Sequence, residues 1–146
     1  MVSFYADRVL HKQGFAPSSF AGTTAVETAA IDRLGFNTAF IIFDNAAATG
    51  EPSAVAITMT FADGADTSPA TAVTFAVNPA VVNALAAGCA MYTVDLSKFN
   101  RYFKMVATPA FTEGTDPAVI GACAIVLADS YIDPASGTAV VPLKKV

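Results

Sequence analysis

The sequence has few charged residues, a single histidine, two cysteines and no tryptophan. Charged residues make up 14% of the chain, against about a quarter in average soluble domains, whereas hydrophobic residues make up 54%. An isolated domain normally covers itself with more charge than this, so the shortage favours a surface that packs against other subunits. The alternative source of the apolar excess is alanine, which tolerates exposure to solvent.

Basic residues are scattered along a chain of net charge −4, apart from the pair Lys144 and Lys145. Without a basic stripe to follow phosphates, we expect no direct contact with nucleic acid. Thr, Gly, Pro or Asp interrupt the apolar runs well short of the roughly 18–20 residues of a membrane span, and no signal-peptide pattern is visible. The sequence therefore predicts a soluble protein, made in the cytoplasm, with no membrane partner.

Residues that support the common catalytic routes are sparse. His11 stands alone, and the chain contains no nucleophile elbow, zinc-protease motif or glycine-rich phosphate loop. Cys89 and Cys123 lack metal-ligand spacing, and we interpret them as reduced thiols, with a single disulfide as the alternative. The run Asp63-Gly64-Ala65-Asp66 fits a hairpin turn better than a calcium site. We therefore predict no enzyme activity, no cofactor and no metal.

Hydrophobic residues alternate with small or polar ones along much of the chain, which is typical of half-buried β-strands. Strand patterns occur at 36–44, 55–61, 73–77 and 119–127, and weaker ones at 24–31, 90–96, 100–108 and 138–143. Turn residues separate these runs. The pattern predicts an all-β fold, a β-sandwich or jelly-roll-like domain of about eight strands. The segment 36–44 is apolar on both faces, as expected of a central strand or of one that meets another subunit.

One segment has the features of a helix instead. Asn78 is a preferred N-cap residue, Pro79 suits the first helical position, and Gly88 follows the last. These signals predict one short helix near residues 79–87.

The first 23 residues contain four aromatic side chains on a segment without a clear strand pattern. Aromatic side chains need a place to be buried, so we expect this segment to be held in position. Residues 1–23 are predicted to be either a cover over the end of the chain's own sandwich or an arm on a neighbour, and residues 24–146 a single sandwich domain. Phe4, Tyr5 and Arg8 are the candidate interface residues of this segment.

A dense polar and aromatic cluster spans residues 92–104. Arg101 shares a face with Phe103, Met105 and Ala107 on the following strand and so starts a predicted core-facing row. We therefore expect it to be partly buried and paired with Asp95, in a structural ion pair. Lys98 and Lys104 are predicted to point outward and to contact another subunit.

The same cluster resembles a motif of small virion proteins from tailed bacteriophages. Val94-Asp95-Leu96-Ser97-Lys98-Phe99 followed by Arg101-Tyr102 is similar to a "VDLS-x-(F/Y)-x-RY" corner, and Val106-Ala107-Thr108 and Leu127-Ala128-Asp129 are similar to the strands that follow it. Ile31-Asp32-Arg33-Leu34-Gly35-Phe36 resembles the start of an early strand in these proteins. The resemblance is carried by short motifs over about half of residues 30–134.

This resemblance implies a head cement or decoration protein. Such a subunit binds the outside of the capsid, contacts the phage major capsid protein and forms homotrimers, and it is assembled on the virion in the host cytoplasm. The low charge and the two-faced segment 36–44 independently favour self-association. The alternative is another virion component, such as a head fibre base, a tail subunit or a glycan-binding adhesion module.

Overall fold

The computed structural model describes residues 9–74, 81–128 and 142–144, which form eleven β-strands and no helix. Sheet A contains β1 (Val9–Ala21), β4 (Thr38–Asn45), β8 (Gly88–Asp95), β10 (Ala118–Ala128) and β11 (Pro142–Lys144). Sheet B contains β2 (Val26–Glu27), β3 (Ile31–Asp32), β5 (Ala54–Gly64), β6 (Thr71–Ala72), β7 (Val81–Asn83) and β9 (Tyr102–Thr112). The predicted all-β sandwich is confirmed. More than eight strands are found because the margins of sheet B consist of strands of two or three residues.

Neighbouring strands come from distant parts of the sequence. The order in sheet A is β1-β10-β4-β8-β11, in which β10 pairs antiparallel with both β1 and β4, and β11 pairs parallel with β8. In sheet B, β5 and β9 pair along their whole lengths, β2 and β3 flank β9, and β6 and β7 flank β5. Because the chain passes repeatedly from one sheet to the other, the arrangement is jelly-roll-like.

The core lies between the two sheets. Alternate residues of β5 and β9 are buried, as the period of two predicts: Val55, Ile57, Met59, Phe61, Phe103, Met105 and Ala107. Sheet A contributes three phenylalanines, Phe15, Phe20 and Phe43, whose rings meet edge to face with centroids 5.8–6.1 Å apart. This is the favoured geometry for aromatic pairs, and it fixes β1 against β4 across β10.

Residues 81–87 do not form the predicted helix. Val81–Asn83 instead pair with Ala56–Thr58 of β5. The amide of Ala84, the next residue, donates to the Val55 carbonyl at 3.1 Å. Residues 79 and 80 lie outside the described part of the chain. The helix prediction is wrong for residues 81–87 because β-branched valines fit a strand and the margin of β5 offers unpaired backbone groups. The strand predicted at 73–77 is also absent at 73 and 74; β6 ends at residue 72, and residues 75–77 are outside the described part.

Residues 9–21 of the predicted N-terminal segment form β1, a strand of the chain's own sheet. Phe15 and Phe20 are buried in the core, with 8% and 0% of their surface exposed. The strand pattern is hidden in the sequence because the register with β10 shifts twice, between Gln13 and Phe15 and between Phe15 and Ser18. Residues 1–8 lie outside the described part, and the division between 1–23 and 24–146 stays a prediction.

Candidate interaction surfaces

The loop between β8 and β9 is held at one end of the sandwich by Arg33. Its guanidinium donates from Nε to the Asn100 carbonyl at 2.9 Å, from Nη1 to the Phe36 carbonyl at 3.2 Å, and from Nη2 to the Phe99 carbonyl. Several donors in one rigid plane allow a single arginine to bind three carbonyl groups at once. On the other side, the amide of Asn100 donates to Oδ2 of Asp63 at 2.8 Å. The loop is therefore tied to β5 and to the turn before β4.

Arg101 lies next to this loop and pairs with Asp32. Its Nη2 is 2.7 Å from Oδ2 of Asp32, its Nε also donates to that carboxylate, and its guanidinium carbon lies 5.1 Å from the ring centre of Tyr102. The Asp32 carboxylate accepts a further hydrogen bond from the amide of Leu34 at 3.0 Å. The hydrogen bonds from Arg101 and, secondly, from Leu34 lower the pKa of Asp32.

The partner of Arg101 differs from the predicted one. Oδ1 of Asp95 accepts a hydrogen bond from the amide of Ser97 at 2.9 Å, and Arg101 makes its ion pair with Asp32. Arg101 is also about half exposed, at 49% of its side-chain surface, where a partly buried position was expected. The reason is that β9 begins at Tyr102, so the alternation that buries Phe103 does not extend back to the bend at residue 101.

The other predicted interface residues are spread over several places. Nζ of Lys104 is 2.9 Å from Oε2 of Glu27 on the outer face of sheet B, and Lys98 is exposed in the loop after β8. Phe4, Tyr5 and Arg8 lie outside the described residues. Lys98 belongs to the loop between β8 and β9 that Arg33 holds, called here the Arg33 corner. The interface roles of Lys98, Lys104, Phe4, Tyr5 and Arg8 stay predictions.

Asp32, Arg33 and Asp63 are structural residues that sequence reasoning missed. Asp63 is buried in β5 rather than in a turn with Asp66, whose own carboxylate accepts the Ser68 amide at 2.9 Å. The alternation that buries Met59 and Phe61 predicts an inward position for residue 63, and this signal was available in the sequence. No sequence signal connects Asp32 with Arg101, because 69 residues separate them.

The outer faces of the two sheets differ in polarity. Sheet B presents Thr58, Thr60 and Thr108 together with both ion pairs. The outer face of sheet A carries an apolar patch, called here the outer A face, which consists of Phe40, Ile42, Met91, Ile120, Ala122, Ala124 and Val126. Asp44, Thr93 and Asp95 lie on the same side of the sheet around this patch. Ile120 is 56% exposed and Met91 36%. A sheet face in contact with water normally carries polar residues, as sheet B does, so the outer A face suits a covered position.

The two cysteines have different environments. Cys89 is exposed, and a hydrogen bond to Asp44 is the main cause that raises its pKa, followed by burial. Cys123 is buried, and burial raises its pKa to about 12. Both are free thiols, in agreement with the preferred interpretation. His11 is exposed on β1, and among the described residues no group of three His, Cys, Asp or Glu side chains is placed to hold a metal ion.

Comparisons with known proteins give distant likenesses only. No protein-family model and no curated protein matches the chain. Among solved structures, the PBSX exported protein XepA matches with a TM-score of 0.48 and 12% identity, over 90% of this chain and 41% of that one. The SPBc2 prophage-derived protein YomS matches with a TM-score of 0.39 and 12% identity, over 82% and 93%. A protein of the disulfide-linked pili of Bacillus endospore appendages matches with a TM-score of 0.38 and 14% identity, over 84% and 90%.

This chain therefore spans less than half the length of XepA. Within the described strands and loops, no helix is long and apolar enough to cross a membrane.

Proposed function

We propose that this chain is a structural subunit of a tailed-bacteriophage particle, which binds the outside of the capsid and stabilises contacts between major capsid subunits. The observation that carries the proposal is the outer A face. It is apolar at its centre, and it is built on β4, a strand paired on both sides. Such a surface is suited to lie across a partner that is already assembled.

The physical effect of such binding is cumulative. Each copy that covers its outer A face removes apolar surface from water, at about 25 cal/mol per Å². A ligand that binds the assembled shell and not its separated subunits stabilises the shell by mass action, and many copies add their effects. A few kcal/mol for each copy are therefore sufficient.

The corner around Arg33 supports the phage assignment. It contains the residues whose sequence resembles the virion-protein motif, from Val94 to Tyr102, and it is held by Arg33, Asp32 and Asp63. We further propose that the chain forms homotrimers. The interface roles of Phe4, Tyr5, Arg8, Lys98 and Lys104 belong to this proposal.

The test compares phage particles with and without the protein. Particles that lack it are expected to assemble normally and to release their genome at a lower temperature, and added purified protein is expected to restore the original temperature. Ile120→Asp on the outer A face should abolish this rescue. Thr60→Asp places the same residue at an exposed site on the outer face of sheet B and should leave the rescue intact.

Two results would overturn the proposal. If no closed heads form without the protein, the chain is an essential shell or scaffold component. If heads with and without it release their genome at the same temperature, the role lies elsewhere in the virion, and binding to tails or to a glycan array becomes the next measurement.

A further inference from the structure

Leu34 is a large hydrophobic side chain that is exposed in a rigid turn. It is 66% exposed, and its amide is fixed by the Asp32 carboxylate, which is itself held by Arg101. The next residues are also fixed, because the Phe36 amide donates to the Arg33 carbonyl at 2.8 Å and the Arg33 side chain binds three carbonyl groups. Holding a contact residue in one conformation before binding reduces the entropy lost on association.

The surroundings of Leu34 carry excess positive charge. Arg33 and Arg101 flank it, and Lys12 lies close enough to Asp32 that its charge contributes to the lowered pKa of that carboxyl group. Asp63, which accepts the amide of Asn100 in the same loop, is a second carboxylate here, so three cations accompany two carboxylates. We call this group of residues, Lys12, Asp32, Arg33, Leu34 and Arg101, the Leu34 patch.

A pocket lies at the opposite end of the sandwich, between β8 of sheet A and β7 of sheet B. Its volume is about 180 Å³, and its lining includes Val82, Ala90, Tyr92, Asn45 and Cys89. Asp44 lies beside the pocket, since it precedes the lining residue Asn45 and is paired across the sheet with Cys89, and none of the lining residues is a lysine or arginine. A cavity of about 150 Å³ holds a benzene ring, so the pocket has the volume for the four carbons of a leucine side chain, and Asn45 and Asn83 make part of its wall polar.

The two features cannot meet within one copy. β4 begins at Thr38, shortly after the Leu34 turn, and ends at Asn45, which lines the pocket. Eight residues of strand, at about 3.3 Å each, separate them by about 25 Å.

We propose that Leu34 of one copy inserts into this pocket of a second copy, with the cations of the Leu34 patch next to Asp44. This inference rests on the proposed self-association and deepens it. The two surfaces are different, so the contact is heterologous, and a heterologous contact repeated with closing rotation gives a ring such as a trimer. Opposite charges on the two surfaces select this orientation and oppose a symmetric contact of like surfaces.

The first experiment measures the oligomeric state of the full chain by sedimentation over a range of concentrations. Leu34→Ser should raise the dissociation constant of the oligomer by about ten- to a hundredfold, as expected when the burial of one leucine side chain is lost. Thr60→Ser changes an exposed side chain on the outer face of sheet B and is the control that should leave self-association unchanged. Ile120→Ser removes an exposed hydrophobic side chain of the outer A face and tests that face as the alternative interface. Thermal unfolding of these variants checks that the fold is intact, and Leu34→Ala serves as a second variant of the Leu34 site.

The second experiment tests the heterologous geometry by mixing. Gly88→Phe adds a large side chain at the pocket, where a Cβ atom would lie 3.7 Å from Oδ1 of the lining residue Asn45, and it should weaken self-association as Leu34→Ser does. A mixture of these two variants retains one intact Leu34 patch and one intact pocket, so it should form a one-to-one heterodimer and nothing larger. A mixture that stays monomeric would overturn the proposal, and so would a wild-type chain that is monomeric at all concentrations.

Failure here is distinct from failure of the proposed function. If Leu34→Ser leaves the oligomer intact and Ile120→Ser dissociates it, copies associate through the outer A face instead, and the Leu34 inference is wrong. The genome-release measurement on particles does not depend on this result, because it reports binding to the capsid rather than contacts between copies.

Discussion

Arg33 and Asp63 stabilise the same loop from two sides, and each acts on backbone groups far away in the sequence. Arg33 binds carbonyl groups at residues 99 and 100, and Asp63 accepts the amide of Asn100. Removal of either residue leaves partly buried backbone groups without their hydrogen bonds, which destabilises the fold.

The Asp32–Arg101 pair gives a pH dependence whose direction follows from the lowered pKa of Asp32. A carboxyl group with a lower pKa in the folded state than in the unfolded chain, where it is about 3.9, stabilises the fold above that value. This contribution is lost as the pH falls through the folded-state pKa. Asp32→Asn should therefore lower the melting temperature at pH 6, and the difference from the wild type should shrink as the pH falls below about 4.

A control for this measurement is Glu51→Gln, since Glu51 forms no ion pair among the described residues. At pH 6 it should lower the melting temperature less than Asp32→Asn does. A constant difference between Asp32→Asn and the wild type down to pH 2 would contradict the assignment of the stabilising charge to Asp32.

Gly121 is required by the aromatic cluster in sheet A. A Cβ atom at this position would lie 2.7 Å from Cζ of Phe43 and 2.9 Å from Cε2 of Phe20, which is closer than side chains tolerate. Gly121→Ala should reduce the free energy of unfolding by about 1–3 kcal/mol, as overpacked cores do. Gly88→Ala is the matched control, because the nearest atom to its Cβ would be Oδ1 of Asn45 at 3.7 Å. Urea unfolding of both variants measures the difference, and equal stability would show that the cluster can rearrange.

At the scale of the element, β4 carries neighbouring isoleucines that face opposite ways. Ile41 is fully buried between the sheets, whereas Ile42 is half-buried on the outer A face. Ile41→Ala should cost about 2–5 kcal/mol of unfolding free energy, and Ile42→Ala clearly less. Chemical denaturation of the isolated subunit measures both values. Equal losses would mean that the outer A face is covered within the single chain.

Elements with strict alternation were predictable from the sequence, and those shaped by pairing with other strands were not. The alternating apolar residues at 55–61 and 119–127 identify β5 and β10, because each of these strands buries one face along its length. β1 escaped prediction because two register shifts break its period. β7 was mistaken for a helix because its end residues also suit helix caps, while the unpaired margin of β5, which decides its conformation, exists only after folding.

Some parts of the candidate interaction surfaces were also predictable from the sequence, and others were not. The sequence directed attention to the corner at residues 94–104 and to the two-faced segment 36–44, and both belong to surfaces described above. It did not reveal Asp32, Arg33 or the Leu34 turn as parts of that corner, because their contacts span more than 60 residues. Contacts of this kind depend on strand order, which periodicity does not encode.

At the scale of the whole molecule, β1 is a strand of sheet A, and two of its side chains lie in the core. Phe15 and Phe20 pack against Phe43, and loss of one such phenylalanine typically costs about 3–5 kcal/mol. Total stabilities are commonly about 5–15 kcal/mol. Removal of residues 1–23 should therefore abolish cooperative unfolding, whereas removal of residues 1–8 should preserve it because β1 begins at Val9.

Circular dichroism melting curves of the two truncated chains test this prediction. The shorter truncation can then be used on particles to measure the contribution of Phe4, Tyr5 and Arg8 to attachment. A cooperative transition without residues 1–23 would show that β10 and β4 are stable without β1.

The place of β10 also determines when the protein can fold during its synthesis. About a hundred residues separate β1 from β10, yet β10 lies between β1 and β4 in sheet A. At roughly 5–20 residues per second, a ribosome needs on the order of 5–20 s to make this stretch, and until then β1 and one edge of β4 have no partner. The outer A face cannot exist before β10 has left the ribosome. For the binding proposed above, a nascent or prematurely ended chain without β10 would lack the outer A face, so the order of the strands would restrict that binding to chains in which β10 has folded.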